Sequence, residues 1–328
     1  MAVLVTAPGC GGGGGASEGK ASIKRLGRIP GFTREHASDT SATGEIVVGT
    51  GLKDGAERAV IWNGLAGSEI PITDATLRST AASAISAGAS RIVGNAIKGS
   101  PSGLKNILLV GSPSSLSPVE MPKGFSVNQI YPFDISDDGS CYGYLEYDLG
   151  PGESKPSYFL RTADGVWSLK DDLSQLAKTA TPLPSTATVK TVATLSENRT
   201  SAVGWAILSD FPDKAVTTVW RNDDVSYAPG LLKIQGSSFL PLNPCVSDDG
   251  NWVITRLTVP GSDEPQTALF NMAQNSYVTI GTLLAEAGSP LKANETPYMR
   301  IDSTGSHITG LVADDVGKFY NIIIRINN

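Results

Sequence analysis

The stretch DISDDGSCYGY, residues 134 to 144, sets Asp134, Asp137 and Asp138 within five positions, beside Cys141, Tyr142 and Tyr144. Carboxylates this close together suit two chemistries: holding a hard divalent cation, or sharing a proton as a general acid–base pair. The Asp-x-Ser-x-Asp-Gly spacing resembles the first half of an EF-hand calcium loop, but that loop needs a carboxylate at its twelfth position, where Leu145 stands. The tetrapeptide SDDG also returns at residues 247–250. Asp bonds its own backbone and Gly accepts positive φ, so a recurring Ser-Asp-Asp-Gly reads as a turn between strands.

The remaining chemistry-bearing residues are sparse. His36 and His307 are the two histidines, too few for a metal site or a triad unless other groups join them. Glu146, Asp148 and Glu153 fall in one loop region, where hydrolases built on similar scaffolds place catalytic carboxylates. Hydrolysis, of carbohydrate or another substrate, is therefore the competing functional class. Cys141 and Cys245 stand far apart in the repeat pattern described next, and two separate buried thiols are expected rather than a disulfide. Tyr144, Tyr147, Trp205 and Phe211 flank loops that should emerge on one face, and they are the candidate contacts for a protein or glycan partner. No catalytic residue, metal ligand or cofactor-binding residue is assigned, and no cofactor is expected.

These residues belong to a repeat. Six segments run from an apolar stretch through Ser or Asp and a turn into a β-branched stretch: residues 40–49, 85–94, 135–143, 195–204, 246–255 and 302–310. Their anchors are Ser41, Ser86, Ser136, Ser196, Ser247 and Asp302, spaced by 45, 50, 60, 51 and 55 residues, the period of propeller blades. A second apolar run follows each, such as RAVIWNG (58–64) and NIIIRIN (321–327), and usually a further short extended piece. The unit is thus four antiparallel strands, A to D, with the anchor ending strand A. Runs such as IVVG and ILLV are apolar at consecutive positions, as sheets covered on both faces require. Residues 169–177 and 281–288 read as short amphipathic helices between blades, the first with Leu169, Leu173 and Leu176 on one face. Trp62 and Trp220 occupy matching core positions on two C strands.

The sixth repeat stops after its third strand, and residues 22–32 have the length and alternation of a strand. Pairing of the two would close the ring and remove both edges. The expected fold is an all-β, six-bladed β-propeller of four-stranded antiparallel blades, closed by an N-terminal strand, with residues 21–328 as one domain.

The chain has 328 residues with 26 Lys and Arg against 32 Asp and Glu, a net charge of −6 without a basic run, so nucleic acid is not an expected partner. No apolar run reaches the roughly 18 residues of a membrane-spanning helix. Residues 1–20 differ in kind: a short apolar stretch leads to Cys10 and five consecutive glycines. This resembles a bacterial lipoprotein signal, which implies lipid attachment at Cys10, a flexible tether, and a place at the cell envelope or outside the cell. The anchor-turn-β-branched-Gly repeat resembles the extracellular repeats of the bacterial family named for its His-Ala-Phe signature. Its strand logic is similar to that of WD40 and TolB-like propellers. That resemblance implies a propeller lipoprotein acting as a binding or scaffolding module, its ligand an unknown protein or glycan, its only membrane contact the lipid.

Overall fold

The computed structural model describes residues 21–100, 103–121, 126–150, 153–210, 212, 214–233, 244–258, 265–291, 299–314 and 318–327. Six four-stranded antiparallel sheets form the blades of a β-propeller. The chain enters through β1 (Ala21–Arg25). Blade one is β2 (Arg34–Thr40), β3 (Ile46–Lys53), β4 (Ala56–Asn63) and β5 (Ala66–Glu69); blade two is β6 (Leu77–Ile85), β7 (Ile92–Ser100), β8 (Gly103–Ser112) and β9 (Ser115–Pro118). Blade three is β10 (Val127–Ile135), β11 (Cys141–Gly150), β12 (Glu153–Arg161) and β13 (Trp167–Lys170); blade four is β14 (Ala187–Leu195), β15 (Ser201–Leu208), β16 (Lys214–Arg221) and β17 (Asp224–Lys233). Blade five is β18 (Cys245–Val246), β19 (Trp252–Thr258), β20 (Pro265–Asn271) and β21 (Ser276–Thr279); blade six is β22 (Met299–Ile301), β23 (His307–Ala313) and β24 (Phe319–Ile326).

Blade six takes its fourth strand from the other end of the chain. β1 pairs antiparallel with β24, from Ala21 opposite Ile326 to Arg25 opposite Ile322. The closing strand is shorter than the expected 22–32, because Leu26 to Phe32 turn away to cover blade one, where Leu26, Ile29 and Phe32 join Val47, Val60 and Trp62. Asn321 completes the join: its side-chain oxygen accepts from Ala37 N at 2.8 Å and its amide donates to the Glu35 carbonyl at 2.9 Å. One amide side chain thus stands in for a strand neighbour.

The anchor residues hold the turns. Ser41, Ser86, Ser196, Ser247 and Asp302 are buried, and each side-chain oxygen accepts from the backbone N–H five positions on, at 3.0 to 3.3 Å. Three positions after every anchor the backbone is left-handed, at Gly44, Ala89, Gly139, Arg199, Gly250 and Gly305. The same carbonyl-to-N–H bond closes all six turns. Another regularity explains the glycine that ends four of the six β-branched stretches. β2, β6, β10 and β14 each carry a β-bulge three positions before the anchor. Opposite it lie Gly49, Gly94, Gly143 and Gly204, where a Cβ would stand 1.9 to 2.3 Å from a carbonyl oxygen of the bulged strand.

The seams between blades are apolar and closely filled. Val48, Ala59 and Ile61 of blade one, for instance, pack on Ile85, Ile92 and Leu109 of blade two. Trp62 and Trp220 are fully buried, and their indole N–H groups donate to the carbonyls of Gly27 and Pro182. Of the two expected helices, Ile280–Glu286 is α-helical. The other is a single 3-10 turn, Leu173–Leu176, capped by Asp172. Leu169 belongs instead to β13 and packs towards blade two, since a strand alternates its faces where a helix would have aligned all three leucines.

Candidate binding site on the ring axis and blade three

The innermost strands place one residue per blade on the axis, two positions before each anchor. They are Asp39, Ala84, Asp134, Thr194, Cys245 and Arg300. Arg300 comes from blade six and reaches across the ring. Its Nη2 donates to the Phe133 carbonyl at 2.7 Å and its Nη1 to the Ser83 carbonyl at 3.4 Å. Both acceptors are the bulged residues of their strands, whose carbonyls the sheet leaves available. Asp134 Oδ2 lies 3.8 Å from the same guanidinium. Asp39 Oδ2 accepts from Ile85 N at 2.9 Å, bridging blades one and two.

Burial dominates the proton affinities here. It raises Asp39 to about 6, against the pull of Arg300 and the Ile85 N–H. It raises Asp134 to about 8, with Arg300 opposing and Asp39 assisting. Desolvation by itself would lower Arg300, but Asp39 and Asp134 hold it above its ordinary value. Burial thus pushes both axial carboxyls towards the protonated form, and the Arg300 guanidinium between them pulls both towards the charged one.

A second layer sits one position after each anchor, where the turns meet. Asp137 Oδ1 accepts from Gly88 N at 2.9 Å, joining blades three and two. Asp248 Oδ1 accepts from Asn198 N at 3.0 Å, joining blades five and four. Glu197 reaches past blade three to blade two, where both its oxygens lie 3.0 Å from Ala87 N. Burial, then Asp134, raise it to about 9. Backbone bonds from Ala42 N to the Ala87 carbonyl and from Asp248 N to the Ser303 carbonyl complete the collar.

The acidic stretch that opened the sequence reading thus divides three ways. Asp138 is the turn residue, accepting from Ser136 Oγ at 2.6 Å and Ser140 N at 2.7 Å. Asp249 repeats this geometry in blade five. Asp137 ties neighbouring turns together. Asp134 is not part of the turn at all; it lies on β10 and lines the axis. Sequence inspection took Asp134 for part of the turn and passed over Asp39, Arg300, Glu197 and Asp248, although the alignment of the six anchors places all five at two fixed offsets.

Exposure along the innermost strands falls in one direction. Tyr131 and Thr191, nearer the loops between strands B and C, are exposed; Ser83, Phe133 and Ala193 are half-buried; five anchors at the far end are buried. Side-chain exposures of 24% for Arg300 and 15% for Asp134 show that water reaches the axial group.

On the face of blade three that packs towards blade four, tyrosines stack across three strands. Tyr131 lies opposite Tyr144 and Tyr144 opposite Tyr158, with ring centroids 6.3 Å and 5.9 Å apart. Phe133 and Tyr142 continue the series inward. Tyr131 is 49% exposed. Tyr147 lies on the opposite face, packed into the seam with blade two. Trp205 is buried on β15. Phe211 and Cys10 lie outside the described residues. The four aromatic candidates therefore do not converge, and Tyr144 alone of them joins the exposed stack, beside Tyr131, which sequence inspection passed over.

The axial and collar carboxylates already accept from main-chain N–H groups or face Arg300. Cys141 and Cys245 are buried thiols outside any disulfide, and Cys245 Sγ donates to the Met299 carbonyl at 3.7 Å. Burial pushes Cys141 up to about 12 and Cys245 upward too, which disfavours the reactive thiolate. His307 Nδ1 lies 3.2 Å from the anchor carboxylate of Asp302, under Gly44 of blade one; His36 sits on β2 and is held neutral by burial and by Arg34. Among the described residues no three His, Cys, Asp or Glu side chains converge as a metal site.

No protein-family model matches the chain, and no curated protein matches it in sequence. Solved structures align with the chain over most of its length at low identity. An oligogalacturonate lyase from Vibrio parahaemolyticus is 9% identical, with 95% of this chain and 99% of that one covered, at a TM-score of 0.45. A putative TolB from Agrobacterium tumefaciens is 13% identical, covering 80% and 89%, at 0.41. AofleA from Arthrobotrys oligospora is 10% identical, covering 93% and 86%, at 0.44. The chain is a six-bladed β-propeller closed by its own N-terminal strand.

Proposed function

We propose that this propeller is a binding or scaffolding module of a bacterial cell envelope, recognising a protein or glycan on one propeller face, and tethered through lipid on Cys10. One observation carries the recognition part of this reading: Tyr131, stacked on Tyr144, is half exposed on blade three, while the carboxylates deeper in the ring are engaged in joining blades. A tyrosine ring presents a large rigid contact area with a polar tip at low entropic cost, so exposed tyrosine stacks suit recognition better than packing. The sequence of residues 1–20 and the resemblance of the repeats to the extracellular His-Ala-Phe family support the address. Two measurements test the reading. A glycan screen and a pull-down from detergent-solubilised envelope should each be run with wild type and Tyr131→Ser; a ligand retained equally by both would sink the site. Labelling with a palmitate analogue in a bacterium, with the native upstream sequence, should occur in wild type and vanish in Cys10→Ser.

A further inference from the structure

Charge is distributed unevenly around the ring. Residues 127–176, blade three with its 3-10 turn, hold nine Asp and Glu against three Lys and Arg, a balance of −6 that equals the net charge of the whole chain. The remaining residues are neutral in sum. The same segment contains five of the nine tyrosines. Strand pairing fixes where these groups lie. Tyr144, Glu146 and Asp148 alternate on one face of β11, with Tyr131 and Gln129 opposite on β10 and Tyr158, Pro156 and Ser154 opposite on β12. Glu146 bonds Ser154 and Asp148 bonds Asn128, which fixes both carboxylates at the rim of the stack. Glu146 acts on the Tyr144 phenol and Asp172 on that of Tyr158, each adding to burial in raising it. Two of the three bases of this blade, Lys155 and Arg161, stand on the opposite face, opposite Tyr147 and Cys141; Lys170, opposite Tyr158 on β13, shares the tyrosine face at its outer edge. Lys155 is moreover paired with Asp171 at 2.8 Å.

Aromatic faces rimmed by carboxylates attract cations twice, through the ring quadrupole and through direct charge pairing. The chain already uses the first of these elsewhere, where the Arg25 guanidinium lies 4.5 Å from the Tyr320 ring centroid. The platform is about 10 Å across three strands and about 13 Å from Tyr144 to Asp148, the span of several peptide side chains rather than one small ion. We propose that the Tyr131–Tyr144–Tyr158 face of blade three, with Glu146 and Asp148, docks an arginine- or lysine-rich segment of a partner protein. This rests on the binding-module reading and names its partner class.

The test uses the full-length protein and a fluorescein-labelled twelve-residue peptide alternating Arg with Gly and Ser, beside an analogue with citrulline for arginine and a neutral oligosaccharide array. The Arg peptide should bind, the citrulline peptide should not, and salt should weaken the complex. Tyr131→Ser should weaken binding about three- to fivefold, and Glu146→Gln with Asp148→Asn by at least about as much. Asp54→Asn with Glu57→Gln removes the same charge from blade one and should change little. Thermal melts of each variant separate misfolding from loss of contact; for a variant that melts early, Tyr131→Leu, which keeps the apolar bulk, should lose the peptide alike. Equal weakening by the two charge-removing pairs, or unchanged binding by both Tyr131 variants, would overturn the site. Failure of the peptide with Tyr131-dependent capture of a neutral oligosaccharide would overturn the basic partner but leave a binding module. Failure of every ligand would remove both.

Discussion

Glu197 shows how much a single side chain is asked to do when a ring must be held at its narrow end. Its carboxylate accepts from Ala87 N across two blades, yet burial and Asp134 raise it to about 9. An unfolded chain releases this proton near pH 4.3, so between about pH 4 and 9 the native state binds the proton and the unfolded state does not. The sign follows directly: with respect to this group stability is greatest in acid and declines as pH rises through that window. Glu197→Gln keeps an acceptor for Ala87 and cannot ionise. Its melting temperature, followed by circular dichroism, should match wild type near pH 5 and exceed it by about 2–6 °C at pH 9. A difference that does not change with pH would show that Glu197 is already charged in the folded state. The neighbouring acids teach the same lesson about residue identity: Asp134, Asp137 and Asp138 are chemically alike and adjacent, but the strand, the seam and the turn give them three separate tasks.

Among the elements, the bulged innermost strands have the widest consequences. A bulge needs a glycine opposite it, frees a carbonyl, and re-aims the side chain that follows. In β6 and β10 the freed carbonyls of Ser83 and Phe133 meet the guanidinium of Arg300, which arrives from the opposite side of the ring on β22. Arg300→Met should remove both bonds and leave Asp39 without its countercharge, destabilising by about 3–5 kcal/mol. Arg300→Lys keeps the charge but lacks the two-pronged geometry and should fall between. Adding Asp39→Asn to Arg300→Met should recover part of the loss, because the stranded charge is then gone. Urea melts of the single and double variants measure the coupling; simple additivity would mean that the two residues do not act as a pair.

For the whole molecule, closure is the decisive contact. β1 covers the free edge of β24, and Leu26, Ile29 and Phe32 follow it onto blade one. Deleting residues 1–20 should leave the melting temperature nearly unchanged. Deleting residues 1–30 should expose the β24 edge and part of the blade-one core, lower the melting temperature by about 10 °C or more, and promote aggregation. Equal melting of the two truncations, with equal light scattering, would mean that the ring holds without its closing strand.

The six anchors, the glycines eight or so positions behind them and the strand left over at the N-terminus made the architecture legible in the sequence, because blades repeat a local hydrogen-bonding pattern that tolerates few residue types. Turn residues such as Asp138 and Asp249 were legible for the same reason. The axis was not. Asp39, Asp134 and Arg300 are separated by 95 and 166 positions, and nothing local to any one of them says that ring closure brings them together. Nor does alternation along β11 say that Tyr144 faces blade four while Tyr147 packs into the seam with blade two; that follows from which neighbour each face of the blade meets. Local backbone chemistry was written in the sequence, whereas the meeting of distant side chains depended on the number of blades and the closing of the ring.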